Sequence, residues 1–260
     1  MNYGLYLSAS GVLTNLYRQD VFANNLANVE TVGFKPDVPS IRQREPEAVE
    51  DLAPLDVSHD LLERLGGGVL AGEQRINFAT ARMERTSNPL DAALFRDGRF
   101  FAVRARGENG EQSVRLTRDG RFQVNADGRL TLPSGHLALN PDDEPITVNP
   151  SAGPARIEAD GSITQNGQRV GRLQISRVED LDSLSKTRGG LYEMSAGDVR
   201  LPEPTPELRP GYIEASGVDP FKAMMDVTAA SKSAMGNADM IRYHGRVMDL
   251  AANTLGSVTG

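Results

Sequence analysis

Apolar residues recur at helical spacing at both ends of the chain and at strand spacing between them. Near the N-terminus Leu5, Ala9, Val12, Leu16, Gln19, Ala23 and Leu26 follow one another at steps of four and three, the spacing of a helix stripe that packs on a second helix. Near the C-terminus Val227, Ala230, Ala234, Asn237, Ile241, His244, Met248, Ala251 and Leu255 keep the same rhythm. A second stripe of Met240, Tyr243, Val247 and Leu250 runs beside it, so this helix needs cover on more than one side. Asp219 followed by Pro220 predicts its cap and first turn, and Gly256 its stop.

From Pro89 onward the period changes. Asp97-Gly98, Asn109-Gly110, Asp119-Gly120, Asp127-Gly128, Asp160-Gly161 and Asn166-Gly167 punctuate short apolar runs, and such dipeptides supply the positive φ angles of tight hairpins. The runs Phe100 to Val103, Val114 to Thr117, Phe122 to Val124, Leu130 to Leu132, Ile146 to Val148, Ile163 and Val170 to Ile175 predict a compact, mainly antiparallel β domain. Residues 36 to 85, with Pro36, Pro39, Pro46, Pro54 and the acidic stretch from Glu45 to Asp56, read as a loosely structured connector. The fold class is therefore mixed α+β. A helix and motif over 1–35 and a helix over 215–260 flank the connector (36–85) and a β domain (86–214).

Composition sharpens this division. Residues 1–35 hold only Arg18, Lys35, Asp20 and Glu30 as charges, and of the 15 prolines only Pro220 falls in either terminal segment. The seams are rich in small and polar residues, and Gly4, Gly11, Gly236 and Gly245 each cost a helix about 1 kcal/mol relative to alanine. Such helices order best when neighbours cover them, although an ordinary helix pair lying over the middle domain satisfies the same pattern. With 28 Lys and Arg against 35 Asp and Glu the net charge is −7, which gives no footprint for a nucleic-acid backbone. Cysteine is absent, removing disulfides and thiolate chemistry. No run reaches the roughly 18 apolar residues of a membrane span, and no secretory signal is recognised.

Candidate chemistry is sparse. Ser58, His59 and Asp60 are sequence neighbours, whereas the members of a catalytic triad converge from separate elements. Three histidines in all, among them His136 in a turn and His244 on a helix seam, make a histidine metal site improbable. Asp142, Asp143 and Glu144 lack calcium-loop spacing, and Gly66-Gly67-Gly68 lacks the Lys-Ser or Lys-Thr of a phosphate loop. No catalytic residue, cofactor or metal ligand is expected.

The stretch Ala23-Asn24-Asn25-Leu26-Ala27-Asn28-Val29-Glu30-Thr31-Val32-Gly33-Phe34-Lys35 resembles the signature of bacterial flagellar rod and hook proteins. The likeness continues through Thr86-Ser87-Asn88-Pro89-Leu90-Asp91, Thr117-Arg118-Asp119-Gly120 and Gly211-Tyr212-Ile213-Glu214-Ala215-Ser216-Gly217-Val218-Asp219, so it spans the chain. Gly217 stands where the family usually has Asn, and Ser231 to Asp239 lacks the Gln-Arg-Ala-Tyr run of the distal rod protein. Thr86 to Leu94 and Val170 to Ile175 look closer to the proximal type, while the length of 260 residues suits either.

The resemblance implies coiled-coil-like pairing of the terminal helices, which pack into a tubular wall and carry the β domain. It implies a structural subunit of the basal-body rod, assembling with copies of itself and with other rod and hook subunits. It also implies a periplasmic position, reached through the flagellar type III export apparatus without a cleaved signal. The residues expected to form the assembly seam are Leu5, Val12, Leu16, Asn24, Asn25, Leu26, Asn28, Gly33, Phe34, Val227, Ile241, Met248 and Leu255. For the three asparagines two readings stand side by side: C-capping before a left-handed Gly33, or register fixed by their demand for polar partners. Two other functions stay open, a secreted peptidoglycan hydrolase using an acid such as Asp97 or Glu144, and a β-domain binding module.

Overall fold

A computed structural model describes residues 3–44, 67–106, 112–195, 200–203 and 206–256. Ser58-His59-Asp60, the Glu45 to Asp56 stretch, Gly66, the Asn109-Gly110 turn and the Leu255 side chain lie outside what is described. The chain divides into two compact units. One comprises Met1–Ala27, Asp37–Arg75 and Asp219–Gly260, the other Asn28–Pro36 and Ile76–Val218.

The first unit is built on two helices, α1 (Tyr3–Ala27) and α2 (Pro220–Gly256). The start of α2 follows the sequence signal: Asp219 Oδ1 accepts the backbone N–H groups of Phe221 at 2.9 Å and Lys222 at 3.1 Å, satisfying two donors that the first turn leaves without helical partners. Where the pattern suggests only a loose connector, Ile41–Gln43 pairs antiparallel with Val69–Ala71. This ribbon sits by α1, with the Thr14 hydroxyl 3.4 Å from the Val69 carbonyl.

The second unit is β structure, antiparallel throughout its described pairings. Among the described residues its main sheet has nine strands. The long strand Arg99–Arg106 pairs over Phe101 to Arg106 with Gln112–Thr117, and also with Leu137–Ala138 and Ile175–Arg177. Its sequence alternates between two cores, as the two-residue period of a strand requires. Phe101, Val103 and Ala105 enter one cluster with Phe122, Leu130, Ile146, Ile163 and Ile175, while Phe100 and Ala102 enter a second with Phe78, Leu139, Leu184 and Tyr192. Burial on both faces explains why this stretch is an unbroken apolar run. The rings of Phe78, Phe100 and Tyr192 pack mutually at 5.4 to 5.6 Å between centroids.

Two sequence expectations need correction. Asn166 and Gly167, at φ 52° and 76°, form the expected tight turn between Ser162–Gln165 and Gln168–Arg172. Gly120 is different: it has no positive φ, and a Cβ there would lie 1.7 Å from the Ala92 carbonyl oxygen, so this glycine serves close backbone approach rather than a turn. The run Val170 to Ile175 is divided between two strands, Gln168–Arg172 and Ile175–Arg177, which pair with different partners.

Candidate assembly site

In the first unit α1 and α2 pair antiparallel, and glycines set the closest approach. A Cβ on Gly4 would lie 2.9 Å from the His244 ring, and one on Gly11 would lie 2.7 Å from Asn237 Nδ2. Seven residues separate the two contacts on each helix, so one face is shared through the pair. The fully buried residues of α1, Thr14, Val21 and Asn25, continue the line from Gly4 and Gly11. On α2 that register brings Ala234, Ala230 and Ala223, all buried, level with Thr14, Arg18 and Asn25. The α2 stripe read from the sequence is thus the one that faces α1, with Val227 and Ile241 half-buried along it.

On α1 the buried line is offset by one residue, about 100° around the helix, from the larger apolar stripe. Leu16 remains 44 % exposed, and Leu5, Val12 and Leu26 are only half-buried. Periodicity favours the larger side chains, whereas close helix approach favours the smallest. Helix α2 also continues past His244 to Gly256, roughly 18 Å at 1.5 Å per residue, and Met248 lies on this extension, about half exposed.

Large apolar side chains are also exposed along α2, interspersed with the exposed charges of Lys222, Lys232, Asp239, Arg242, Arg246 and Asp249. Phe221, Met224, Met225, Met235, Met240, Tyr243, Val247, Met248 and Leu250 are exposed, from 44 % at Val247 to 78 % at Phe221. Tyr6 and Leu13 are exposed on α1. This many exposed large apolar side chains on one helix makes the face a candidate interaction surface.

The asparagines divide between roles. Asn25 donates Nδ2–H to the Asp37 carbonyl at 2.7 Å and accepts the Asp37 N–H on Oδ1 at 2.8 Å, clamping the end of α1 to the segment that returns to it. Asn28 Oδ1 accepts the Thr31 hydroxyl at 3.1 Å. Asn24 is exposed on the last turn of α1. None of the three is left-handed; Gly33 is, at φ 70°, six residues beyond the helix end. The C-capping reading therefore gives way to local polar pairing for Asn25 and Asn28.

In the second unit the motifs converge on a buried ionic centre that the pattern of apolar residues did not mark. Glu214 accepts Lys35 Nζ on Oε1 and Arg118 Nε on Oε2, each at 2.7 Å, with all three side chains about 1 % exposed. Its Oε1 also accepts the Ala81 N–H at 2.7 Å. Lys35 reaches the Ala79 carbonyl at 2.8 Å, and Arg118 the carbonyls of Arg99 at 2.6 Å and Arg96 at 2.9 Å. Gly33 N–H donates to the Glu214 carbonyl at 2.8 Å, and a Cβ at Gly33 would lie 2.6 Å from the Arg118 carbonyl carbon. Phe34 is buried beneath the Lys186 ammonium, 4.0 Å from its ring centroid.

Burial, followed by the Arg118 charge, holds Lys35 below the ordinary lysine value despite attraction to Glu214. Burial by itself would raise Glu214, but the charges and hydrogen bonds of Arg118 and Lys35 together outweigh it and hold the carboxyl below its ordinary value. Charged residues in a single sequence read as solvated. The signal here was that Lys35, Arg118 and Glu214 each sit inside one of the motif stretches.

Of the acids considered for hydrolysis, Asp97 is engaged through its carboxylate and Glu144 through its backbone N–H. Asp97 Oδ1 accepts the Thr80 N–H at 2.7 Å, and Asp143 pairs with Arg200 at 2.6 Å. Asn140 Oδ1 caps the turn through the N–H groups of Asp142 and Glu144, each at 2.9 Å. Among the described residues no group of three or more His, Asp or Glu side chains could hold a metal ion. No described helix is long and apolar enough to cross a membrane.

Comparison with known proteins gives the family. Residues 5–35 match the family described as flagella basal body rod protein, and residues 97–165 match the D1 domain of the flagellar hook proteins FlgE, FlgF and FlgG. The chain is 30 % identical to the flagellar basal-body rod protein FlgF of Caulobacter vibrioides over 99 % of its own length and 100 % of that protein. Identity to FlgF of Salmonella typhimurium is 29 % over 89 % of this chain and 90 % of the relative. Identity to the rod protein FlgG of Bacillus subtilis is 25 %, over 96 % and 97 % of the two chains. The relatives named FlgF support the proximal-rod type over the distal one, and the chain belongs to the flagellar basal-body rod protein family.

Proposed function

We propose that the chain, a structural rod subunit of the proximal type and not an enzyme, polymerises through its terminal helices into a tubular wall. One observation carries this reading: α2 buries a narrow face of small residues against α1 and leaves nine large apolar side chains exposed. A heterologous contact whose rotation does not close generates a helical tube, and each subunit then needs apolar surface for more than one neighbour. The exposed side chains of α2, its extension past α1, and Leu13 and Leu16 on α1 supply that surface in this proposal. Partners are further copies of the chain and other rod and hook subunits.

A periplasmic position and delivery by the flagellar type III export apparatus belong to the same proposal. Relatives whose names place them in the flagellar basal body support it. Immunolabelling of isolated basal bodies tests the subtype. Label on the segment of rod nearest the inner membrane is expected, and label confined to the segment next to the hook would contradict it.

A further inference from the structure

We propose that the exposed methionines of α2, four beside the α1-facing stripe and Met248 on the stretch past His244, form an oxidation site, and that their conversion to sulfoxides bars the subunit from incorporation. This rests on the reading of the exposed side of α2 as an assembly surface. The chain has no cysteine and no tryptophan and has eight methionines. Five of these, Met224, Met225, Met235, Met240 and Met248, lie on α2 with 48 to 72 % of each residue exposed. Met224 and Met225 line a shallow groove with Thr228, Ala229 and Lys232. By contrast Met83 and Met194 are half-buried in the second unit, Met194 against the Phe78, Phe100 and Tyr192 cluster. Among the described residues, the thioethers most open to an oxidant are those on the surface that must become dry in this proposal.

With hydrogen peroxide as oxidant, a sulfur lone pair attacks one peroxide oxygen and the O–O bond breaks. Proton transfer then lets water leave. The thioether is oxidised by two electrons to a sulfoxide and the peroxide is reduced to water. A flexible apolar side chain becomes a polar one that needs a hydrogen-bond donor. Five such groups in an apolar contact leave acceptors unpaired. Once the face is covered by neighbouring subunits the same sulfurs are shielded, so sensitivity is confined to the subunit before incorporation.

Peroxide titration of the purified full chain, read by peptide mass spectrometry, should oxidise the five α2 methionines at least about fivefold faster than Met83 and Met194. Comparable rates would overturn the inference. In cells, replacing all five by Leu should leave swimming and basal bodies intact, whereas replacing all five by Gln, which approximates sulfoxide polarity, should abolish both with unchanged helical circular dichroism. Swimming by the Gln chain, or failure of the Leu chain, overturns the proposal. Tyr243→Asp, on the same face without a sulfur, separates the two layers. If it swims, the assembly reading itself falls; if it does not swim while the Gln chain does, only the oxidation inference falls.

Discussion

Glu214 holds two cations in the dry interior of the second unit, and its removal should destabilise that unit strongly. Glu214→Gln keeps the shape but leaves Lys35 and Arg118 without a countercharge, and breaking one side of a buried ion pair costs about 3–5 kcal/mol. Denaturant unfolding should show that loss. The pH dependence has a fixed sign. Because its folded value lies below the ordinary 4.5, Glu214 contributes stability that is present in full above 4.5 and lost as pH falls through the folded value. The Gln chain should therefore have a flatter acid limb than the native one, and an unchanged slope would contradict the ionic assignment. Gly33→Ala probes the same centre from its backbone. At φ 70°, with the Arg118 backbone 2.6 Å from the added Cβ, it should lose more than the roughly 1–3 kcal/mol of a strained backbone alone.

Glycines act differently in the helices according to what lies opposite. Gly4 and Gly11 face His244 and Asn237 at under 3 Å, whereas nothing lies within 4 Å of a Cβ added at Gly236 or Gly245. Gly236→Ala or Gly245→Ala should therefore stabilise α2 in the isolated chain by up to about 1 kcal/mol, visible as added helical signal. Ile241 lies on the α1-facing stripe, so Ile241→Asp should weaken the helix pair in the single chain, seen as faster hydrogen exchange in α1. These contrasts show what the sequence made legible. The cap at Asp219, the α2 stripe and the Asn166-Gly167 turn were readable because local chemistry decides them. The buried face of α1 was not, because a close approach is decided by the partner's shape, and the larger Leu5-to-Leu26 stripe concealed the smaller residues beside it. Gly120 was misread for the same reason: its requirement comes from Ala92, distant in sequence.

For the molecule as a whole, the charged centre belongs to the second unit and the exposed helix face to the first. Lys35, Arg118 and Glu214 fix the segment that follows α1 into the second unit, so the motif stretches serve internal order. In the proposed assembly the surface offered to neighbours is instead the outer side of the helices, where Leu13, Tyr243 and Leu250 are exposed. The motifs made the family recognisable in the sequence, but the ionic centre within them was not, since burial of a charge depends on partners 96 and 179 residues away. Hydrogen exchange on the isolated chain should show residues 245–256 opening first, because that stretch lies past the Gly4 contact with His244.

The central claim is that the exposed face of α2 builds the rod, and Leu250→Asp addresses it directly. Leu250 is 67 % exposed, so a carboxylate there stays solvated in the single chain, but in an apolar contact it would be desolvated at a cost of several kcal/mol in every subunit. The measurement is electron microscopy of basal bodies from cells carrying Leu250→Asp, alongside thermal unfolding of the purified chain. The account predicts native unfolding and no completed rod; complete basal bodies in swimming cells would contradict it.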